Sequence, residues 1–176
     1  MSIVLPWSRP APHVTLLLGL AVAEAIEQVA AGLRVGLKWP NDLQIGRRKV
    51  GGVLCESAGA AVVAGIGINL RPLEGAPVEL RERATALETE TSSMLPASTL
   101  AGSVIASLQG RGAPAPTLEP AVLAELGGRD ALAGAPVDTD EHGHGIGRGI
   151  DREGALLLER PDGSRVRVVA GSVRRL

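Results

Sequence analysis

The sequence contains no phenylalanine and no tyrosine, and only 2 of its 176 residues are tryptophan. A core must therefore be built from Leu, Val, Ile and Ala, and a hydrophobic content of 45% is enough to build one. A single cysteine, Cys55, excludes an intrachain disulfide and any multi-cysteine metal site. Set in an apolar run, it reads as a small buried hydrophobe rather than a nucleophile. Charge of one sign is lacking as well. The formal net charge is −1, with basic residues spread among acids, so no nucleic-acid partner is expected. The apolar run Leu16 to Ala23 is too short to span a bilayer, and Glu24, Glu27 and Gln28 interrupt it, so no membrane partner is expected. With no signal peptide in evidence, the expected location is cytoplasmic.

A chain of 176 residues suits one ordinary domain, or a smaller one with an appended module. Leu18, Val22, Ile26, Val29 and Leu33 recur at helical spacing, after Pro10 and Pro12 and with Gly32 near the end. Val35 to Trp39 reads as a strand stopped by Pro40, which cannot donate to a ladder. Leu43 to Ile45 and Lys49 to Glu56 read as a hairpin joined by Gly46-Arg47-Arg48. Ala61 to Leu70 is apolar on both faces, which predicts a central strand. Pro72 to Thr91 reads as an irregular polar connection. Ser98 is placed to cap a helix carrying Leu100, Val104, Ile105 and Leu108, and Ala121 to Leu126 predicts a short helix. The Gly/Pro/Ala-rich stretch 110–116 marks a boundary. From about Arg129, short apolar runs (145–150, 155–159 and 166–170) alternate with turn signals, the pattern of a small barrel or SH3-like sheet. Such a module is too small to sustain a core alone, so it should dock on the larger part.

The most informative text is Lys38-Trp39-Pro40-Asn41-Asp42, followed by Arg47-Arg48-Lys49-Val50-Gly51-Gly52-Val53-Leu54-Cys55-Glu56. It gathers cations, an amide and a carboxylate around a turn, then enters a strand with two glycines. Glycines inside a strand commonly mark close approach of a ligand. A lysine beside bare backbone is a sensible clamp for a carboxylate meeting a phosphate. Asp42 could orient Lys38 or Asn41, bind a metal–phosphate complex, or make an Asx turn. Asn-Asp after Pro is also ordinary turn composition, and Arg-Arg-Lys also fits a solvated hairpin tip. The second strand, Gly65-Ile66-Gly67-Ile68-Asn69, repeats bare backbone and an amide at a strand end, which favours the functional reading. His142 and His144, in a glycine-rich turn, lack evident third and fourth ligands, so no metal site is expected there. Arg174-Arg175 fits a solvated terminus as well as a ligand contact.

In order and spacing these motifs resemble the central signature of the biotin–protein ligases, also called biotin–[acetyl-CoA-carboxylase] ligases: KWPND, a hairpin, RRKVGGVLCE, then GIGINL. Ala84-Thr85-Ala86-Leu87 resembles the family's ATSL segment, and the tail from Gly147 resembles its small C-terminal domain. The resemblance implies an α+β fold: a partial biotin/lipoate ligase-like (class II synthetase-like) mixed sheet with helices in 1–128, and a small SH3-like β-barrel in 129–176. It implies ATP-dependent formation of biotinyl-5′-AMP and transfer of biotin to a lysine of a carboxylase's biotin carboxyl carrier domain, with Mg²⁺ arriving on ATP.

By the same resemblance Lys49 is the catalytic lysine, contacting the biotin carboxylate and the α-phosphate. Asn41 lies on the phosphate and ribose side, with Asp42 its acidic neighbour and Lys38 as charge support. Gly52 and Leu54 line the biotin pocket, while Gly67 and Asn69 belong to the second strand, whose asparagine reaches adenine. Gly51 stands where the family more often has Ala, which should add flexibility without abolishing binding. The family's glycine- and arginine-rich GRGRxGR loop has no counterpart here, and Ser2 to Pro6 resembles the strand that follows it. The expectation is therefore weak or absent ligation by this chain, and no helix-turn-helix repressor role. A carrier- or partner-binding fragment and a lipoate- or octanoyl-transferring relative are the alternatives. An uncovered sheet edge would invite a homodimer.

Overall fold

The computed structural model describes residues 1–5, 12–112 and 115–176. Pro6, Pro10 and Ala113–Pro114, which the sequence reading used as signals, lie outside them. A helix, α1 (Pro12–Val29), is flanked by strands β1 (Ser2–Leu5), β2 (Val35–Lys38), β3 (Asp42–Ile45), β4 (Arg48–Ala58) and β5 (Ala61–Ile68), which form one sheet in the order β1-β5-β4-β3-β2. Its ladders are antiparallel throughout. The parallel component expected of a mixed sheet is confined to two isolated bridges, Leu37 with Asp130 and Lys49 with Ala84.

Helix α1 is buried almost all round. Val14, Leu18, Val22, Ala25 and Ile26 are among its buried residues, as expected of a helix with partners on both sides. One side packs on β2, β3 and β4; the other packs on α4 (Ala97–Arg111). Its polar residues become ties. Glu24 accepts from Ser107 Oγ at 2.6 Å and from Arg111 at 3.1 Å, and Gln28 accepts from Ser103 Oγ at 2.9 Å. Helix α4 starts from Pro96, so Ser98 lies in its first turn rather than at the cap. The stretch 72–91, expected to be irregular, holds two short helices, α2 (Val78–Arg83) and α3 (Leu87–Thr91). Their few-residue apolar pattern is too short for a periodicity to declare itself. Helix α5 (Pro120–Gly127) follows, with proline in its first turn.

The C-terminal part is a second antiparallel sheet of β6 (Pro136–Thr139), β7 (Gly143–Ile150), β8 (Leu156–Glu159), β9 (Arg165–Val168) and β10 (Val173–Arg175), ordered β10-β6-β7-β8-β9. No ladder joins β9 to β10 among the described residues, so of the small barrel and the SH3-like sheet that the sequence allowed, the structure has the open sheet. Two glycines after His144 have a packing reason: a Cβ at Gly145 would lie 2.6 Å from the Glu159 carbonyl oxygen, and one at Gly147 2.3 Å from the Leu132 carbonyl oxygen. His144 is exposed beside Asp138 (3.2 Å), and the described residues hold no group of three or more His, Cys, Asp or Glu able to bind a metal.

The two sheets share one core, which runs from Val14 and Trp39 to Leu132, Leu156 and Val168. Backbone bonds from Leu37 N to Arg129 O (2.8 Å) and from Ala131 N to Leu37 O (2.9 Å) sew the joining segment to β2. The Arg129 guanidinium donates to both carboxylate oxygens of Glu27, at 2.6 and 2.8 Å, and to the Val35 carbonyl at 3.0 Å. That hydrogen bonding holds the Glu27 carboxyl below its usual value against the opposing effect of burial. No described helix is long and apolar enough to cross a membrane.

A carboxylate with a depressed folded pKa stabilises fully above the unfolded value, about 4.3, and loses that contribution as pH falls through the lower folded value. Glu27→Gln is therefore expected to lower the unfolding free energy at pH 7. The gap to the parent should close as pH falls below about 4; urea titrations at several pH values check this.

Candidate functional site

The site grows out of a register shift in β4. Leu43 pairs with Gly51 and Gln44 with Lys49, which leaves Val50 without a partner on β3. Strand side chains alternate between faces. Counting back from the outward-facing Gly52 and Leu54, a regular strand would aim Lys49 at the core and Val50 at solvent. The bulge reverses this. Val50 is fully buried, while the Lys49 side chain is 48% exposed and lies across Gly52, its Nζ 3.5 Å from where a Cβ would stand.

Across from it, β5 alternates cleanly. Val62, Ala64 and Ile66 pack inward, so Gly65, Gly67 and Asn69 share the outer face. β5 lies between β1 and β4, central as its apolar pattern predicts, although this outer face stays open instead of being covered. Gly52 pairs directly with Gly67, and Leu54 with Gly65. Two facing glycines leave a bare strip of backbone, bordered by the half-exposed Leu54. This strip floors an open groove of about 690 Å³ whose lining includes Asn41, Lys49, Gly52, Leu54, Gly67 and Asn69. No neighbour lies within 4 Å of a Cβ placed on Gly67, so a side chain there would enter the groove.

At the head of the strip stands a charge cluster. Asp42 Oδ1 pairs with Lys49 Nζ, and its Oδ2 with Lys38 Nζ at 3.5 Å. Of the roles open to Asp42, the structure shows the bridge between two lysines. One carboxylate against two ammonium groups leaves the corner net positive. Asn41 lines the groove beside it, and its carbonyl accepts from Val53 N at 2.9 Å. Trp39, between Lys38 and Pro40, is 2% exposed and donates from Nε1 to the Gly154 carbonyl at 2.9 Å. The tryptophan of the KWPND stretch thus anchors the loop to the second sheet, a role sequence reasoning missed because its partner lies 115 residues away.

Behind Lys49 and Asn69 runs the segment Ala84–Leu87. Thr85 N donates to Lys49 O at 2.8 Å, Asn69 Nδ2 donates to Thr85 O at 3.0 Å, and Leu87 N donates to Asn69 O at 2.9 Å. Thr85 Oγ1 and Arg48 Nη2 both donate to Glu90 Oε1, at 2.5 and 2.7 Å. Arg48 is therefore a structural tie as well as a hairpin cation. Nothing local to Glu90 in the sequence announced it. Cys55 is half-buried, with its thiol pushed up chiefly by burial, which suits a packing residue.

Gly51 corrects an expectation. A Cβ there would meet Gly67 O at 2.4 Å and Ile68 Cδ1 at 2.5 Å, so the absent side chain serves close packing and not flexibility.

Two family models match the chain: the biotin/lipoate A/B protein ligase family over residues 3–72, and the biotin protein ligase C-terminal domain over residues 137–174. The biotin–[acetyl-CoA-carboxylase] ligase of Paracoccus denitrificans is 30% identical over 89% of this chain and 70% of its own length. The chain belongs to the biotin/lipoate protein ligase family, and within it to the biotin protein ligases. The bifunctional ligase/repressor BirA of Bacillus spizizenii is 30% identical over 93% of the chain, which spans 54% of that relative. The chain thus covers about half the length of BirA-type relatives. In structure it is similar to a biotin protein ligase from Aquifex aeolicus in complex with biotin and ATP, with a TM-score of 0.85, 26% identity, and coverage of 99% of this chain and 77% of that one.

The two glycine positions should separate folding from ligand access. Gly51→Ala is expected to cost about 1–3 kcal/mol of stability by overpacking, measured by denaturant unfolding. Gly67→Val should leave the melting temperature within a few degrees of the parent while obstructing the groove.

Proposed function

We propose that the groove over β4 and β5 binds biotin and ATP, joins them as biotinyl-5′-AMP, and passes the biotinyl group to a lysine of a carboxylase carrier domain. The observation that carries this reading is the Lys49 ammonium at the head of the bare Gly52–Gly67 strip, with Asp42 and Lys38 behind it. In the first step a carboxylate oxygen of biotin attacks the α-phosphorus and pyrophosphate leaves with the P–O bond pair. Two anionic groups must approach, and a fixed cation at their meeting point lowers that barrier. Lys49 fills this role, while Asp42 restrains its ammonium. In the second step the acceptor lysine's neutral amine attacks the acyl carbon, and AMP leaves.

Gly52 and Leu54 give the biotin end a flat, partly apolar floor. Gly67 lets the ligand cross β5, Asn41 serves the phosphate and ribose side, and Asn69 serves the base. Mg²⁺ fits as a passenger on ATP, held by phosphates and water; Asp42, the carboxylate at this corner, is already shared by two lysines. The division into a ligase part, 1–128, and an SH3-like part, 129–176, belongs to the same proposal, as do a cytoplasmic setting and a homodimer through an outer strand of the first sheet.

Turnover by this chain is expected to be slow. Lys49 is the one charged side chain lining the groove among the described residues, against a triphosphate carrying several negative charges. Calorimetric titration with a biotinyl sulfamoyl-adenosine, a non-hydrolysable acyl-adenylate analogue, tests the reading. The parent chain should bind it, and Lys49→Ala should weaken binding by about tenfold or more, the scale of one charge-assisted hydrogen bond. Equal affinity of the variant, or tighter binding of the lipoyl counterpart, contradicts the assignment. Fast multiple-turnover biotinylation by the 176-residue chain would contradict the slow-turnover part.

A further inference from the structure

We infer that Thr85, held by Glu90 and Arg48, is a positioning residue that fixes the side-chain amide of Asn69, so that the groove selects a 6-amino purine over a 6-oxo purine. The inference rests on the proposed binding of an adenylate in this groove.

A backbone carbonyl can only accept. Because Asn69 lies 3.0 Å from Thr85 O, its amide nitrogen must face that oxygen. The planar amide then turns Oδ1 the other way, and Oδ1 accepts no hydrogen bond from the described residues. Asn69 lines the groove, and beside the second hydrogen of Nδ2 the amide atom left without a partner there is the acceptor Oδ1. The exocyclic amine of adenine is a donor and satisfies it. The 6-oxo group of hypoxanthine or guanine is a second acceptor and faces it unpaired, the type of mismatch that a polar site rejects strongly. An amide turned by half a revolution would invert the preference, so whatever pins the amide sets the specificity.

Thr85 is pinned from several sides. It is 3% exposed. Its N–H donates to the Lys49 carbonyl at 2.8 Å, and its hydroxyl donates to Glu90 Oε1 at 2.5 Å. The same oxygen takes a bond from Arg48 at 2.7 Å, in a carboxylate with 17% of its side chain exposed. One residue therefore touches the strand of Lys49 through its amide and the side chain of Asn69 through its carbonyl. Glu90 and Arg48 do not line the groove, which makes their effect indirect.

The test compares the affinities of the full chain for biotinyl sulfamoyl-adenosine and for its inosine counterpart. The parent should favour adenosine by about tenfold or more. Thr85→Val and Glu90→Gln should cut that ratio to about threefold or less, Thr85→Ser should restore it, and Lys49→Ala should weaken both probes without changing it. Thermal melts confirm that each variant is folded. A ratio unchanged in folded Thr85→Val, or a parent without preference, overturns the positioning role while leaving the ligase reading intact. If the parent binds neither probe, the ligase reading fails and this inference falls with it.

Discussion

The unpaired residue in β4 governs the rest of the site. Strand geometry allows a side chain only one of two faces, and the sequence Lys49-Val50-Gly51-Gly52 could not serve both core and ligand in regular alternation. By spending one residue without a partner, the strand buries Val50 and releases Lys49 to the open face. The facing glycines then have a purpose. They keep the floor low beneath the lysine, and a side chain at Gly52 would press on the Asn41 carbonyl, 3.1 Å from its Cβ. Bulges recur next to functional sites for this reason: they re-aim a side chain without breaking the sheet.

The site also depends on parts distant in sequence. Trp39 replaces the aromatic cluster that a chain without Phe or Tyr cannot build, and it does so at the join between the sheets. Burying an indole of about 200 Å² contributes at most about 5 kcal/mol. Its hydrogen bond to Gly154 directs that burial to one partner. Arg129, in the segment that joins the sheets, is bonded to Glu27 on α1, and Trp39 ties the loop that carries Asn41 and Asp42 to the second sheet. The segment Ala84–Leu87 braces the other end, where Lys49 and Asn69 are tied through Thr85.

Much of this was legible in the sequence, because it is written in local chemistry. The apolar spacing from Leu18 to Leu33 marked the helix, although it ends at Val29 and leaves Leu33 in the following loop; Pro40 and Gly46 marked the strand ends, and the KWPND and GIGIN stretches pointed to residues that the fold brings to one groove. The C-terminal strands followed from their turns. What escaped depends on contacts across the chain. No periodicity revealed that Lys49 changes face, since a bulge is visible only against the register of β3. Gly51 reads as added flexibility in the sequence, whereas in the fold Gly67 and Ile68 crowd against it. The helices α2 and α3 are too short to show a pattern, and the carboxylate of Glu90 acquires meaning only beside Arg48 and Thr85. Strand spacing allowed a small barrel or an SH3-like sheet alike, because it does not specify whether the outermost strands meet.

The role of the bare strip rests on where an acyl-adenylate would lie. Backbone amide shifts recorded by NMR while the chain is titrated with the acyl-adenylate analogue measure this directly. The largest changes are expected on Gly52, Leu54, Gly65, Gly67 and Asn69, along the outer face of β4 and β5. Changes confined to β6–β10, or scattered over α2 and α4 with the glycine strip silent, would contradict that role.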